Sequence, residues 1–569
     1  MPRVVAIGLD AVEPSYLEEL VDRGDLPALA RLRAAAARVR LVTEGPYRAE
    51  YPWTEFVTGR GARSVGYWST VAFDPATYGF ATIGAASVEP FYALGPGRRV
   101  IALDVPHSRL SERLHGAQVI GWGAHDPEFP RSSRPAGLLA ALEREHGVHP
   151  GLPIEYAGTW HQADFLARYT DALVEGTSRR VGVVRSLLGE VPDWELLVLT
   201  LSEAHTAGHY MWHGVDPNSP VHHAPSASVG ASCLRAIHQA MDRTISDMVE
   251  EVSRVAPDAV FVVFSIKGMA TADADLLSPA LVPELFHRLT FGRPLLRASG
   301  DGVLRPPIVP AADVQPIAEL RRAFADGPRG RVVRALRGRV PRFVRRLRAL
   351  ARRRRALARR RRRPHEPPAP TYDHLPIHEL VPQSPGMHWH GATWYQRHWP
   401  RMPAFVIPSY SDVHVRINLQ GRERDGVVPR EEYDDACDRV EAILRACTNP
   451  RTGRPIVRHV TRLRAPDPCA VDGPSADLVV ECVEPVDVLV HPEAGTIGPF
   501  AYPRTGSHTP NGLAWFAGGD IAAGDLGVRP ALDLAPTLLT LLGASTDGCE
   551  GEAIGLGTTG RAVKLETSA

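Results

Sequence analysis

Val4-Val5-Ala6-Ile7-Gly8-Leu9-Asp10 is the stretch that sets the fold class: an unbroken nonpolar run that ends on a carboxylate. A short apolar run closed by polar residues reads as a strand buried on both faces, the kind found in a parallel sheet covered by helices. The same signature returns at Arg99 to Leu103, Gln118 to Gly121, Glu195 to Leu201 and Val260 to Ser265. Between these runs the apolar period becomes helical, over Pro14 to Asp22, Leu26 to Ala37, Ala136 to Glu145, His161 to Leu188 and Ala231 to Val255. Alternating strands and helices predict an α/β architecture with a mainly parallel central sheet.

From about residue 301 to 385 this rhythm fails and Pro, Arg and Gly dominate, so that stretch is read as an insertion. Residues 1–300 and 386–569 are then expected to build one domain together. Strand signals return at Asp412 to Asn418, Asp477 to Glu481 and Leu513 to Phe516, and helices at Glu431 to Ala446 and Ala531 to Leu542. Within the insertion, Arg329 to Arg363 holds 18 arginines and no acid, although the 569-residue chain carries a net charge of only +1. Val332, Leu336, Val340, Phe343, Leu347, Leu350 and Leu357 recur among those arginines at helical spacing, which predicts a basic helix over 329–363. Such a helix suits an anionic membrane surface, whereas nothing beside it reads bases, so no specific nucleic acid is expected. Packing of the arm on the chain's own acidic remainder is the competing expectation.

The composition, 44% hydrophobic and 23% charged, is that of a globular protein, and no apolar run reaches the ~20 residues that cross a bilayer. The first residues lead directly into a strand pattern rather than an export signal, which gives a cytoplasmic expectation. The six cysteines lack paired or metal-like spacing and are expected to be reduced. The sequence sets no oligomeric state.

In an open α/β sheet the working groups stand at the C-terminal ends of strands. Asp10 ends the first strand, and Lys267, one of only two lysines, follows Val260 to Ser265. His205 and His209 come just after Glu195 to Leu201, and their spacing of four puts both imidazoles on one helical face, as two ligands of one ion require. His508 lies in the loop Arg504-Thr-Gly-Ser-His508 ahead of a late strand. Taken singly, each has an ordinary explanation: a surface histidine pair, or an aspartate that caps a helix. His125 follows a strand expected to end near the same place.

Several motifs taken together resemble the type I phosphodiesterase and nucleotide pyrophosphatase family of the alkaline phosphatase superfamily. They are Gly8-Leu-Asp10 with Gly24-Asp-Leu-Pro-Ala-Leu-Ala-Arg-Leu32, Trp53-Thr54 to Thr58-Gly59, His205-Thr-Ala-Gly-His209 with Trp212, and Ser265 to Met269. Asn418-Leu-Gln-Gly-Arg422-Glu423 and Gly506-Ser-His508 ahead of Leu532-Asp-Leu-Ala-Pro-Thr537 complete the series. The resemblance implies an alkaline-phosphatase-like three-layer sandwich with a basic helical insertion.

It further implies a metal-dependent hydrolase acting on a small anionic ester, whose family members use two ions, usually zinc. Carried over by position, His205, His209 and His508 are implied ligands of one ion, with Asp10 the surviving ligand of the second. Ile266 and Lys267 replace that subsite's Asp and His, so a single zinc ion is expected, with manganese as the alternative and Lys267 in place of the second metal. The family's nucleophile position falls on Ala49, which leaves Thr54 as the nearest hydroxyl and Glu203 and Glu50 as candidate bases. Arg504 and His125 are assigned to substrate binding. A catalytically inactive relative kept as a binding module, and a related group-transfer enzyme of a biosynthetic pathway, are the alternative expectations.

Overall fold

The computed structural model describes residues 3–45, 51–123, 131–152, 159–297, 304–311, 314–324, 390–463, 467–470 and 473–560. The predicted basic helix over 329–363 lies outside the described residues, as do Glu50 and His125.

A nine-stranded sheet forms the centre. Its order is Gly524–Pro530, Ala37–Val42, Asn511–Gly518, Val260–Ser265, Val4–Leu9, Leu196–Leu201, Val100–Leu103, Gly116–Ile120 and Ser132–Arg134. The five strands from Val260–Ser265 to Gly116–Ile120 are parallel, while Asn511–Gly518 and Ser132–Arg134 run antiparallel to their neighbours. The class read from the sequence, α/β with a mainly parallel sheet, is the class observed. Strands from the end of the chain enter the sheet formed by its beginning, so residues on both sides of 301–385 share one core.

Period-two alternation divides the first strand between the two faces. Val5, Ile7 and Leu9 pack with the helices Pro14–Asp22, Ala163–Glu190, Glu203–Val215 and Ala227–Val255. Val4 and Ala6 pack on the other face with Trp53 and Phe56 of the helix Pro52–Thr58 and with Leu534 and Leu538 of Leu534–Leu541. Apolar burial of this kind stabilises by roughly 1.5–3 kcal/mol per large side chain. No helix among the described residues is long and apolar enough to cross a membrane, and all six cysteines are free thiols.

Two expectations about this organisation are corrected. The helix read over Leu26 to Ala37 stops at Ala34, and Ala37–Val42 is a strand whose alternating exposure matches its Ala-Arg-Val-Arg-Leu-Val pattern. Part of the stretch read as an insertion belongs to the body: in the helix Pro316–Ala323 and just after it, Leu320 and Phe324 are buried in the main core.

A second, four-stranded antiparallel sheet, Ala404–Ile407, Val413–Ile417, Leu478–Cys482 and Val457–Arg462, packs with the helix Tyr433–Arg445. The Asn418 to Glu423 motif builds this part rather than a site. Asn418 donates to the carbonyls of Trp399 and Met402 and accepts from the Tyr78 hydroxyl, while Arg422 grips Asp477 through two nitrogens.

Glu55, buried in the helix Pro52–Thr58, carries a pH dependence. Burial first, then the negative charges of Glu44 and Glu550, push its carboxyl from 4.5 up to about 7. The folded protein therefore retains a proton that the unfolded chain releases above its ordinary value, and stability falls as pH rises from about 4.5 to about 7. Glu55→Gln is expected to unfold at a higher temperature than the wild type at pH 8 and at nearly the same temperature at pH 4.5; equal melting at both would refute the assignment.

Candidate metal centre

Five polar side chains from four distant parts of the chain meet at the C-terminal ends of the central strands. Asp10 follows Val4–Leu9, and the next residue, Ala11, takes a left-handed φ of 51°. His205 and His209 stand on successive turns of Glu203–Val215, the helix that begins just after Leu196–Leu201. Lys267 joins Val260–Ser265 to the short strand Gly268–Thr271, which pairs antiparallel with Gly506–Thr509 and sets Met269 opposite His508. This two-stranded ribbon was not foreseen from the sequence, yet it places both Lys267 and His508. Its approach to the helix needs Gly506, where a Cβ would stand 2.3 Å from the Gly208 carbonyl oxygen.

The tautomers of two histidines follow from their partners. His205 Nδ1 lies 2.7 Å from Asp10 Oδ2, and Asp10 Oδ1 accepts the Trp53 indole N–H at 2.7 Å with Lys267 Nζ at 3.8 Å. Asp10 thus faces donors on both oxygens, so the proton of His205 is on Nδ1 and its Nε2 presents a lone pair. His209 Nδ1 lies 2.7 Å from the Gly506 carbonyl oxygen, a pure acceptor, so its Nε2 is bare as well.

These two bare nitrogens are 3.0 Å apart, and His508 Nε2 is 3.1 Å from that of His205. Burial first, then the positive charge of Lys267, holds the His508 imidazole well below its ordinary pKa, so it is neutral. Its Nδ1 is buried without a hydrogen-bond partner among the described residues. Facing lone pairs at this distance repel unless a cation lies between them. Three nitrogen ligands of tetrahedral zinc, each at ~2.0–2.1 Å, stand about 3.3 Å from one another. All three ligand nitrogens lie within 4.8 Å of one another, and among the described residues they are the one group of His, Cys, Asp and Glu ligand atoms gathered closely enough to hold a metal ion.

Asp10 stands behind this set. Its contact with His205 is the carboxylate–histidine arrangement that fixes a metal ligand's tautomer and raises its basicity. Ile266, beside Lys267, points into the core packed around Trp53 and Phe264, so no ligand occupies that position. Lys267 Nζ itself lies 3.8 Å from Asp10 Oδ1.

Other expected site residues are engaged elsewhere. Glu203, proposed as a base, is fully buried at 2.7 Å from Arg180 Nε and 3.0 Å from His149 Nε2. Burial pushes its carboxyl up, but Arg180 and His149 outweigh that and hold it at about 2, which removes it as a proton acceptor. Arg504, assigned to substrate, spends Nε on Asp275 and Nη2 on the Tyr410 carbonyl. Thr54, the nearest hydroxyl to the lost nucleophile position, is buried in the helix Pro52–Thr58 with its Oγ1 3.3 Å from His107 Nδ1.

Sequence reasoning missed Trp53 as the partner of Asp10, and missed a buried network beneath the histidine helix. Arg180 Nη1 donates to Asp104 Oδ2 at 2.8 Å, Nη2 to the Gly123 carbonyl at 3.0 Å, and Nε to Glu203, the first residue of that helix. A signal existed for Arg180: with Val183, Val184 and Leu187 it occupies the inward positions i, i+3, i+4 and i+7 of Ala163–Glu190. Trp53 stood in the Trp53-Thr54 to Thr58-Gly59 motif, but nothing there named Asp10 as its partner.

No protein-family model matches the chain, and no curated protein sequence does. Among solved structures, wild-type alkaline phosphatase PafA shares 11% identity, with 97% of this chain and 99% of that one covered and a TM-score of 0.48. Inactive murine ectonucleotide pyrophosphatase / phosphodiesterase 5 in complex with AMP shares 11% over 96% of each chain, at a TM-score of 0.43. Phosphonoacetate hydrolase from Sinorhizobium meliloti 1021 shares 18% over 48% of this chain and 57% of that one, at 0.30. At these identities and scores, nothing about chemistry transfers to this chain.

Proposed function

We propose that this chain is a metal-dependent hydrolase of phosphodiesters or related anionic esters, with one zinc ion on His205, His209 and His508 and Lys267 in place of a second metal. The convergence of three imidazole nitrogens carries the reading, two of them proton-free because Asp10 and the Gly506 carbonyl accept the N–H at Nδ1 of His205 and His209. It agrees with the motif resemblance, which covers the same residues.

When bound, the ion supplies Lewis acidity toward a phosphoryl oxygen. The chain's own groups do the rest. Asp10 keeps His205 in the ligating tautomer, and Trp53 holds Asp10. Lys267, buried beside that carboxylate, offers a fixed positive charge to an anionic ester oxygen in a water-poor setting, where such contacts are strongest. Glu203 takes no part in proton transfer because its pairing with Arg180 keeps it ionised and inward.

Turnover of bis(4-nitrophenyl) phosphate and 4-nitrophenyl phosphate by the zinc-loaded protein tests the reading. Lys267→Ala is expected to lower kcat by about 10²–10³ with zinc content unchanged, the loss typical of removing one preorganised charge-stabilising donor. Undiminished turnover in that variant would contradict the role of Lys267. Absence of turnover by the wild type on diesters, monoesters and phosphonate esters would instead favour the binding-module alternative.

A further inference from the structure

Glu13 lies three residues beyond Asp10, and its carboxylate reaches into the ribbon that carries the opposite side of the site. Oε2 accepts the Met269 backbone N–H at 3.1 Å and the Thr509 hydroxyl at 3.1 Å, and Oε1 accepts from the Ser15 hydroxyl at 3.1 Å. Met269 is two residues after Lys267, and Thr509 directly follows His508. In the ribbon Gly268 pairs with Thr509 and Met269 with His508, so one carboxylate oxygen binds both strands at the register step where the cation and the third imidazole are presented.

The fit leaves room for nothing larger than glycine between these groups. A Cβ at Gly268 would stand 2.1 Å from Glu13 Oε2 and 2.5 Å from Thr509 Oγ1. The ribbon is only four residues long on each strand. Its polar hold on the loop after Val4–Leu9 includes the two Glu13 contacts and the approach of Lys267 to Asp10.

We infer that Glu13 is a positioning residue, a carboxylate clamp that fixes the ribbon bearing Lys267 and His508 against the loop bearing Asp10. It touches neither the metal-ligating nitrogens nor the ammonium, and acts through the backbone that carries them. The inference deepens the proposed function where it concerns zinc affinity, and stands apart from it where it concerns the placement of Lys267.

Two readouts separate these parts. Zinc affinity is measured by competition with a chromophoric chelator for wild type, Glu13→Ala, Glu13→Gln and Gly268→Ala. Releasing the ribbon that carries His508 is expected to weaken zinc binding about 10–100-fold in Glu13→Ala and Gly268→Ala, the range for losing a hydrogen bond to a charged group. Glu13→Gln keeps an acceptor for the Met269 N–H and is expected within about threefold of the wild type, by the ordinary range of a conserved neutral hydrogen bond. The second readout is the NMR spectrum of lysine labelled with ¹³C at Cε. The chain has two lysines, Lys267 and Lys564, and Lys564→Arg identifies the Lys267 signal.

That signal is expected to move in Glu13→Ala and Gly268→Ala and to stay in Glu13→Gln. Wild-type zinc affinity together with an unmoved Lys267 signal in Glu13→Ala would overturn the clamp, even if the variant melted earlier. If the wild type itself binds no zinc, the metal reading fails, and the lysine spectrum alone decides whether the clamp exists.

Discussion

Replacing Arg180 by methionine is expected to cost the fold about 3–5 kcal/mol, the range for breaking a buried ion pair from one side. Arg180 has no solvent exposure; among the described residues its hydrogen bonds go to Asp104, Glu203 and the Gly123 carbonyl, and its guanidinium lies over the Trp122 ring. Asp104 would survive the loss in part, since the backbone N–H groups of Gly121, Trp122 and Gly123 also donate to it. Glu203 would keep only His149. A fully buried carboxylate with one imidazole partner either takes up a proton or pulls the helix start toward water, and that helix carries His205 and His209. Urea unfolding of Arg180→Met, Glu203→Leu and the double variant checks this. The double variant is expected to recover much of the loss, because an apolar pair of similar volume replaces the charges. A loss below about 1 kcal/mol for Arg180→Met alone, the size of a surface pair, would contradict it.

Asp10→Asn is expected to weaken zinc binding by about 10–100-fold while keeping the shape of the side chain. The carboxylate has donors on both oxygens: His205 on Oδ2, Trp53 and Lys267 on Oδ1. An amide cannot serve both sides. With its oxygen toward His205, its NH₂ meets the Trp53 N–H and the Lys267 ammonium, donor against donor. With its NH₂ toward His205, Nδ1 must be bare, and the proton moves to Nε2, where it points at His209 and His508. Both arrangements also leave the ammonium of Lys267 beside a neutral group. Competition titration measures the effect, and an affinity within threefold of the wild type would remove Asp10 from the account.

The sheet was legible because its strands are continuous apolar runs. Val4–Leu9 and Val260–Ser265 begin and end where the residue pattern places them. Ala37–Val42 was absorbed into a preceding helix because Arg33-Ala-Ala-Ala-Ala37 favours helix locally, and only pairing with Asn511–Gly518 and Gly524–Pro530 decides otherwise. The ribbon Gly268–Thr271 with Gly506–Thr509 was invisible for a related reason: each strand is short and rich in small residues, and its partner lies far along the chain.

In the site, residue type and spacing singled out His205, His209, His508, Asp10 and Lys267, and the structure brings these together. Direction was not readable from type. Glu203 is two residues from His205, yet faces Arg180, and Arg504 is four residues from His508, yet is turned by Asp275. Such choices are made by buried partners contributed from other elements.

Elemental analysis of the purified wild-type chain, beside His209→Ala, tests the central claim most directly. Three converging imidazoles with Lys267 in the second position predict one zinc ion per chain in the wild type and nearly none in His209→Ala. Two ions per chain would show that Lys267 replaces no metal, and an ion content that His209→Ala leaves unchanged would show that the three imidazoles are not its ligands.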